Sequence, residues 1–207
     1  MSVSLGAFIV QYRLPFRRPR SHDEAITDPT WDPSTKPPDP STPVLEALYD
    51  GAVRRTDMTA HVHAAADRGA ERSAVAFDGR CVVVFDFWRA LGCNFEAVGS
   101  VGGLDAALEA LSARPDVERV MVVLLDGVGD SYGLLTFVDG VRVRRWTFAW
   151  AEPAPLRLDE GAALPTEPTA ETTHAVRRID DASRTLLGDR GVLGLSYEHE
   201  GPVFLCE

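Results

Sequence analysis

The sequence predicts a single α+β domain with a mixed, mainly antiparallel sheet, centred on a three-stranded meander and flanked by three or four helices. Three observations lead there. Val120 to Leu125 is a continuous apolar run rich in β-branched residues and stopped by Asp126-Gly127, the pattern of a strand buried on both faces. Asp139-Gly140 joins two further apolar runs, Tyr132 to Val138 and Val141 to Trp150, and Asp78-Gly79 joins another pair. Asp-Gly between such runs signals a hairpin, because a type I′ turn needs positive φ at both central residues. Finally, apolar residues recur at helical spacing in Leu104, Leu108 and Leu111 and again in Ala175, Ile179, Ala182 and Leu186.

Taken in order, the chain opens with a strand over Leu5 to Tyr12. From Leu14 to Pro43 it holds eight of its fourteen prolines and almost no periodic apolar residues, which reads as an arm or loop with Trp31 as its anchor. Thr42 and Pro43 are suited to N-cap and first-turn positions, so a helix carrying Val44, Leu45 and Leu48 inward is expected up to Gly51. Met58, Val62 and Ala65 suggest a second helix from about Asp57 to Arg68. The Asp78-Gly79 hairpin spans Ser73 to Phe87, a short strand is expected over Phe95 to Val98, and Pro115 lies beyond the Leu104 helix. Ala151 to Ala170, rich in Pro and Glu, reads as a surface connection. The Ala175 helix starts near His174 and stops at Gly188, and Val192 to Tyr197 and Pro202 to Cys206 read as two closing strands.

Composition narrows the function classes. With 21 basic and 31 acidic residues the chain carries a formal charge of −10, which opposes non-specific binding to nucleic acid and suits a basic protein partner. Only Lys36 among the basic residues is lysine. No run approaches the roughly 18 apolar residues of a membrane span, and Leu5 to Val10 is too short for a signal peptide, with its basic residues on the wrong side. Cys81, Cys93 and Cys206 are odd in number and lack metal spacing, as expected of reduced thiols in the cytoplasm.

Several patterns bear on chemistry. Gly129-Asp130-Ser131-Tyr132-Gly133 matches G-x-S-x-G, in which Ser131 would be the nucleophile of a hydrolase if it sat on a strand-to-helix turn, with His174 or His199 as base and Asp159 or Asp180 to orient it. The run after Tyr132 reads as a hairpin instead. His61 and His63 are the candidates for a metal, but on the expected helix they point about 200° apart, so no metal and no cofactor is assigned. Gly99, Gly102 and Gly103 precede a helix as in a phosphate-binding crossover, yet the G-x-G-x-x-G fingerprint and a P-loop lysine are missing. Asp86 interrupts the apolar run Val82 to Trp88 and needs a partner, for which Arg89 is near; with Asp126 it would place two carboxylates at one sheet edge. By strand alternation Arg142, Arg144, Trp146, Phe148 and Trp150 share one face, a basic and aromatic stripe of the type that dominates protein interfaces.

From Tyr132 to Glu167 the order strand, Asp139-Gly140, Arg-rich strand and then Gly161-Ala162-Ala163-Leu164-Pro165-Thr166-Glu167 resembles uncharacterised bacterial proteins of immunity or adaptor type, including small proteins encoded beside toxins. That resemblance implies a binding protein and brings no catalytic residues. The expectation is therefore a non-enzymatic cytoplasmic protein that binds another protein through Trp31, Arg142, Arg144, Trp146 and Trp150. A small hydrolase or metal-dependent enzyme and a nucleotide-binding regulator are the alternatives.

Overall fold

A computed structural model describes residues 4–13, 40–49, 53–61, 71–77, 79–94, 104–150, 154–168, 174–198 and 200–206. The strands are β1 (Ser4–Tyr12), β2 (Val53–His61), β3 (Glu71–Phe77), β4 (Cys81–Phe85), β5 (Val117–Asp126), β6 (Ser131–Val138), β7 (Val141–Ala149), β8 (Leu156–Gly161) and β9 (Glu200–Cys206). The helices are α1 (Ser41–Tyr49), α2 (Phe87–Asn94), α3 (Leu104–Ser112), α4 (Ala175–Leu187) and α5 (Gly191–Glu198), with a 3-10 turn over Gly188–Arg190. The nine described strands form one sheet in the order β2-β9-β3-β4-β1-β5-β6-β7-β8. Each described pair is antiparallel, so the expected α+β class and mainly antiparallel sheet are what the chain adopts. The centre of the sheet is β1, and the meander β5-β6-β7 lies to one side of it, extended by β8.

Strands β1, β4 and β5 are apolar on both faces. Phe8, Val10, Val82, Val84, Val122 and Leu124 pack under α1, α2 and α3. Ala7, Ile9, Val83, Phe85, Met121 and Val123 pack on the opposite side against α4 and α5. The result is a helix–sheet–helix sandwich. Two glycines let α2 sit close to the sheet: a Cβ on Gly6 would lie 2.6 Å from Phe87 Cα, and one on Gly133 would run into the Asn94 side chain. Asp139 and Gly140, at φ 50° and 79°, make the I′ turn that joins β6 to β7.

Four segments depart from expectation: the strand expected to run to Phe87 stops at Phe85 and Phe87 opens α2, and three others differ for reasons supplied by distant residues. Residues 57–61 are strand, with 59–61 paired with 200–202 of β9, which offers an open edge to a segment of weak helical period. The expected helix beyond residue 61, the strand at Phe95, the glycine turn Gly99 to Gly103 and most of the Pro-rich arm, including Trp31, lie outside the described residues. Residues 191–198 are helix: its first N–H groups are taken by side chains of α4, with Val192 N donating to Ser183 Oγ at 2.8 Å and Leu193 N to Asp180 Oδ1 at 3.0 Å. Part of the expected surface connection is β8, which pairs with β7 from Ala149↔Leu156 to Arg144↔Gly161. Among the described residues no helix is long and apolar enough to cross a membrane.

The close seat of α2 gives a test with a diagnostic sign. Alanine in an exposed strand is normally favoured over glycine by about 0.5–1 kcal/mol, yet Gly6→Ala is expected to cost about 1–3 kcal/mol in urea unfolding, because its methyl would meet Phe87 and Ala90.

Candidate functional site

The end of the sheet where β1 begins gathers most of the residues that the sequence singles out. Ser4 pairs with Asp126, Asp126 with Ser131, and Ser131 with Ala149, so β1, β5, β6 and β7 share this end. Asp86 joins them through its N–H, which donates to Gly6 O at 3.0 Å.

Each polar group here is held by local bonds. Asp86 is buried, with 1% of its surface exposed, and caps α2: its Oδ1 accepts from Arg89 N at 3.1 Å while Tyr49 OH donates to Oδ2 at 2.6 Å. The described bond from Arg89 comes from its backbone, and its guanidinium lies 4.3 Å over the Tyr49 ring. Asp126 Oδ1 accepts from Ser4 Oγ at 3.2 Å and from Val128 N and Gly129 N at 3.1 Å, which closes the β5–β6 turn. Ser131 begins β6, and its hydroxyl donates to Gly129 O at 3.1 Å. The G-x-S-x-G segment is therefore a hairpin, with Gly133 inside a strand under Asn94.

The histidines are spread through the fold. His61 closes β2 opposite Glu200, and His63 and His199 lie outside the described residues. His174 caps α4, with Nδ1 accepting from Val176 N at 3.3 Å and the ring edge-on to Tyr132. Among the described residues no group of three or more His, Cys, Asp or Glu is placed to hold a metal. The Tyr132 hydroxyl sits 3.4 Å from Asp130 Oδ1, and burial, followed by that charge, holds its pKa above the ordinary phenol value of 10.0.

The arginine stripe is split by a β-bulge. Thr136 pairs with Arg144 but Phe137 with Arg142, so Val143 is the extra residue and alternation fails there. Arg142 turns to the α1–α3 face, 3.7 Å from Asp105. Arg144 turns to the α4–α5 face and is buried, where its Nε and Nη2 reach the two oxygens of Glu167 at 3.0 and 2.5 Å and its Nη1 reaches Asp159 at 2.5 Å. Burial works against this charge, but the bonds to Glu167 and Asp159 outweigh it and raise the pKa above the ordinary arginine value. Arg178 of α4 adds a 3.5 Å contact to Glu167 and lies 5.1 Å over the Trp146 ring. Arg145, on the other face, donates to Asn94 O at the end of α2. Trp146 and Phe148 are half-buried against the α4–α5 core, which leaves Trp150 as the exposed aromatic of the strand, at 65%.

Sequence reasoning passed over Glu167, the buried partner of Arg144, and Arg178, which shares that carboxylate. Their signal was weak: among the described residues of that Pro- and Glu-rich stretch Leu164 is the apolar one that is buried, and its N–H donates to Glu167 Oε2. It also passed over the exposed Trp88, Val128 and Leu156. Val128 tips the β5–β6 turn, Trp150 N donates to Asp130 O of that turn, Leu156 pairs with Ala149, and Trp88 is the second residue of α2 after the Asp86 cap. All four stand at the same end of the sheet as Asp126. No family model, curated protein or solved structure matches the chain.

Removing Glu167 would leave Arg144 and Arg178 buried beside each other, so Glu167→Leu is expected to lower the unfolding free energy by about 3–5 kcal/mol. The double variant Arg144→Met/Glu167→Leu recovers much of that loss in the same urea titration, because fewer uncompensated charges remain. For Tyr132, a folded pKa above the unfolded value means stability that is complete below about pH 10 and is lost as pH rises through the folded value. Tyr132→Phe should flatten this alkaline limb, read from unfolding midpoints between pH 9 and 12.

Proposed function

We propose that the protein is non-enzymatic and acts in the cytoplasm by binding another protein, in an immunity or adaptor role, through the sheet end that carries Trp150. The observation behind this is the distribution of exposed apolar side chains. Of the six large ones exposed among the described residues, Trp88, Val128, Trp150 and Leu156 stand at that one end. Isolated exposed apolar groups are ordinary, but a gathering that includes two tryptophans is the composition of an interface anchor.

The partner's contact surface would be basic with apolar side chains. Asp126 and Asp130 flank Val128, and the whole chain is acidic at −10, so encounter with a basic protein is favoured and weakens with salt. The arginine stripe contributes through Trp150, while Arg144 and Trp146 support the strand from within. A catalytic reading gains little here, since Asp86, Asp126 and Ser131 are engaged in a helix cap and a turn.

The test is a comparison of cross-linked partners recovered from the native host by wild type and by Val128→Asp/Trp150→Asp, both checked for folding by circular dichroism. A basic protein captured by wild type and reduced at least tenfold with the variant is the expected outcome. Recovery of the same proteins by both would remove this surface from the function.

A further inference from the structure

We propose that the β8 edge joins two copies of this chain, which would make one continuous sheet of two nine-stranded halves. This edge meets the Trp150 end at Leu156, but the argument for it does not rest on the partner reading above.

β8 is the last strand of the sheet order, and among the described residues it pairs only with β7. An outermost strand leaves every second N–H and C=O pointing outward, ready for another strand. Its sequence, Leu156-Arg157-Leu158-Asp159-Glu160-Gly161, contains neither proline nor lysine, the usual blocks to such pairing, and all of it except Leu158 is exposed.

The charges select one register. Two copies related by a dyad normal to the sheet pair antiparallel, and directly opposed residues then lie on the same face. With the dyad at Leu158, Arg157 of each copy opposes Asp159 of the other, Leu158 meets Leu158, and Leu156 lies against the stem of Glu160. Moving the dyad to Arg157 opposes two arginines, to Asp159 two aspartates, and to Glu160 two glutamates. Only the Leu158 register has reciprocal ion pairs with an apolar contact between them. The groups are placed for it: Arg157 and Asp159 share the α4–α5 face, opposite Phe148 and Trp146 of β7. Arg157 is held over the Phe148 ring at 5.5 Å, and the Asp159 side chain is 62% exposed although one oxygen binds Arg144. The buried Arg144 thus fixes the acidic half of each pair before association.

Sedimentation velocity and native mass spectrometry at micromolar concentration test this. Wild type is expected at twice its 22.5 kDa monomer mass. Arg157→Asp, which opposes two carboxylates twice over, is expected to be monomeric, and Val128→Asp to remain dimeric. Cysteine pairing gives a second readout should Arg157→Asp fail to fold. Under mild oxidation Leu158→Cys should link two copies across the dyad, while Leu156→Cys, roughly 14 Å from its own counterpart in this register, should link no better than wild type. A monomeric wild type, a dimer that survives Arg157→Asp, or equal linking by the two cysteine variants would each overturn the proposal.

Discussion

Strands β1, β4 and β5 are apolar on both faces, so both faces of the sheet must be covered. Leaving either open would expose several fully buried side chains, each worth about 1.5–3 kcal/mol on transfer from water. The covering helices come from separate parts of the chain: α1, α2 and α3 on one side and α4 with α5 on the other. β1 lies at the centre of the described sheet, with β4 and β5 on its two sides. β9 inserts between β2 and β3, so β2 joins the sheet only through a strand distant in sequence.

Charge placement follows from that sandwich. A bulge at Val143 separates the arginines of β7, and the burial of Arg144 then requires Glu167 and Asp159 to come to it. The pair ties the segment after β8 to the sheet and to α4 through Arg178. Buried ion pairs are poor sources of net stability compared with apolar packing. This one acts instead by fixing where β8 and the Leu164–Glu167 turn must lie. The same constraint holds the sheet edge in a defined shape and keeps Asp159 in place on it.

At the opposite end of the strands, polar residues that resemble catalytic parts are used for local closure. A carboxylate after an apolar strand, such as Asp86 or Asp126, has free lone pairs next to backbone N–H groups that a helix start or a turn leaves without partners. Satisfying those donors accounts for both aspartates, while the Ser131 hydroxyl donates to the Gly129 carbonyl of the same turn. The large side chains exposed at this end are Trp88, Val128, Trp150 and Leu156, beside the exposed carboxylate of Asp130.

Sequence by itself determined the elements whose signals are local. The Asp139-Gly140 turn, the pairing of β3 with β4, the apolar run of β5, and the periodic helices α3 and α4 depend on φ preferences and on spacing within a few residues, and they stand where expected. Tertiary structure alone decided the rest. Residues 57–61 became strand because β9 offered an edge, and 191–198 became helix because Ser183 and Asp180 of α4 capped it. Asp86 was legible as a group needing partners, but the start of α2 was hidden because Val82 to Trp88 reads as one unbroken apolar run. Arg144 and Trp150 were legible as unusual residues of β7, whereas the opposite facing of Arg142 and the partnership with Glu167 were not. A bulge shifts every later side chain to the other face, and nothing within the strand's own residues announces it.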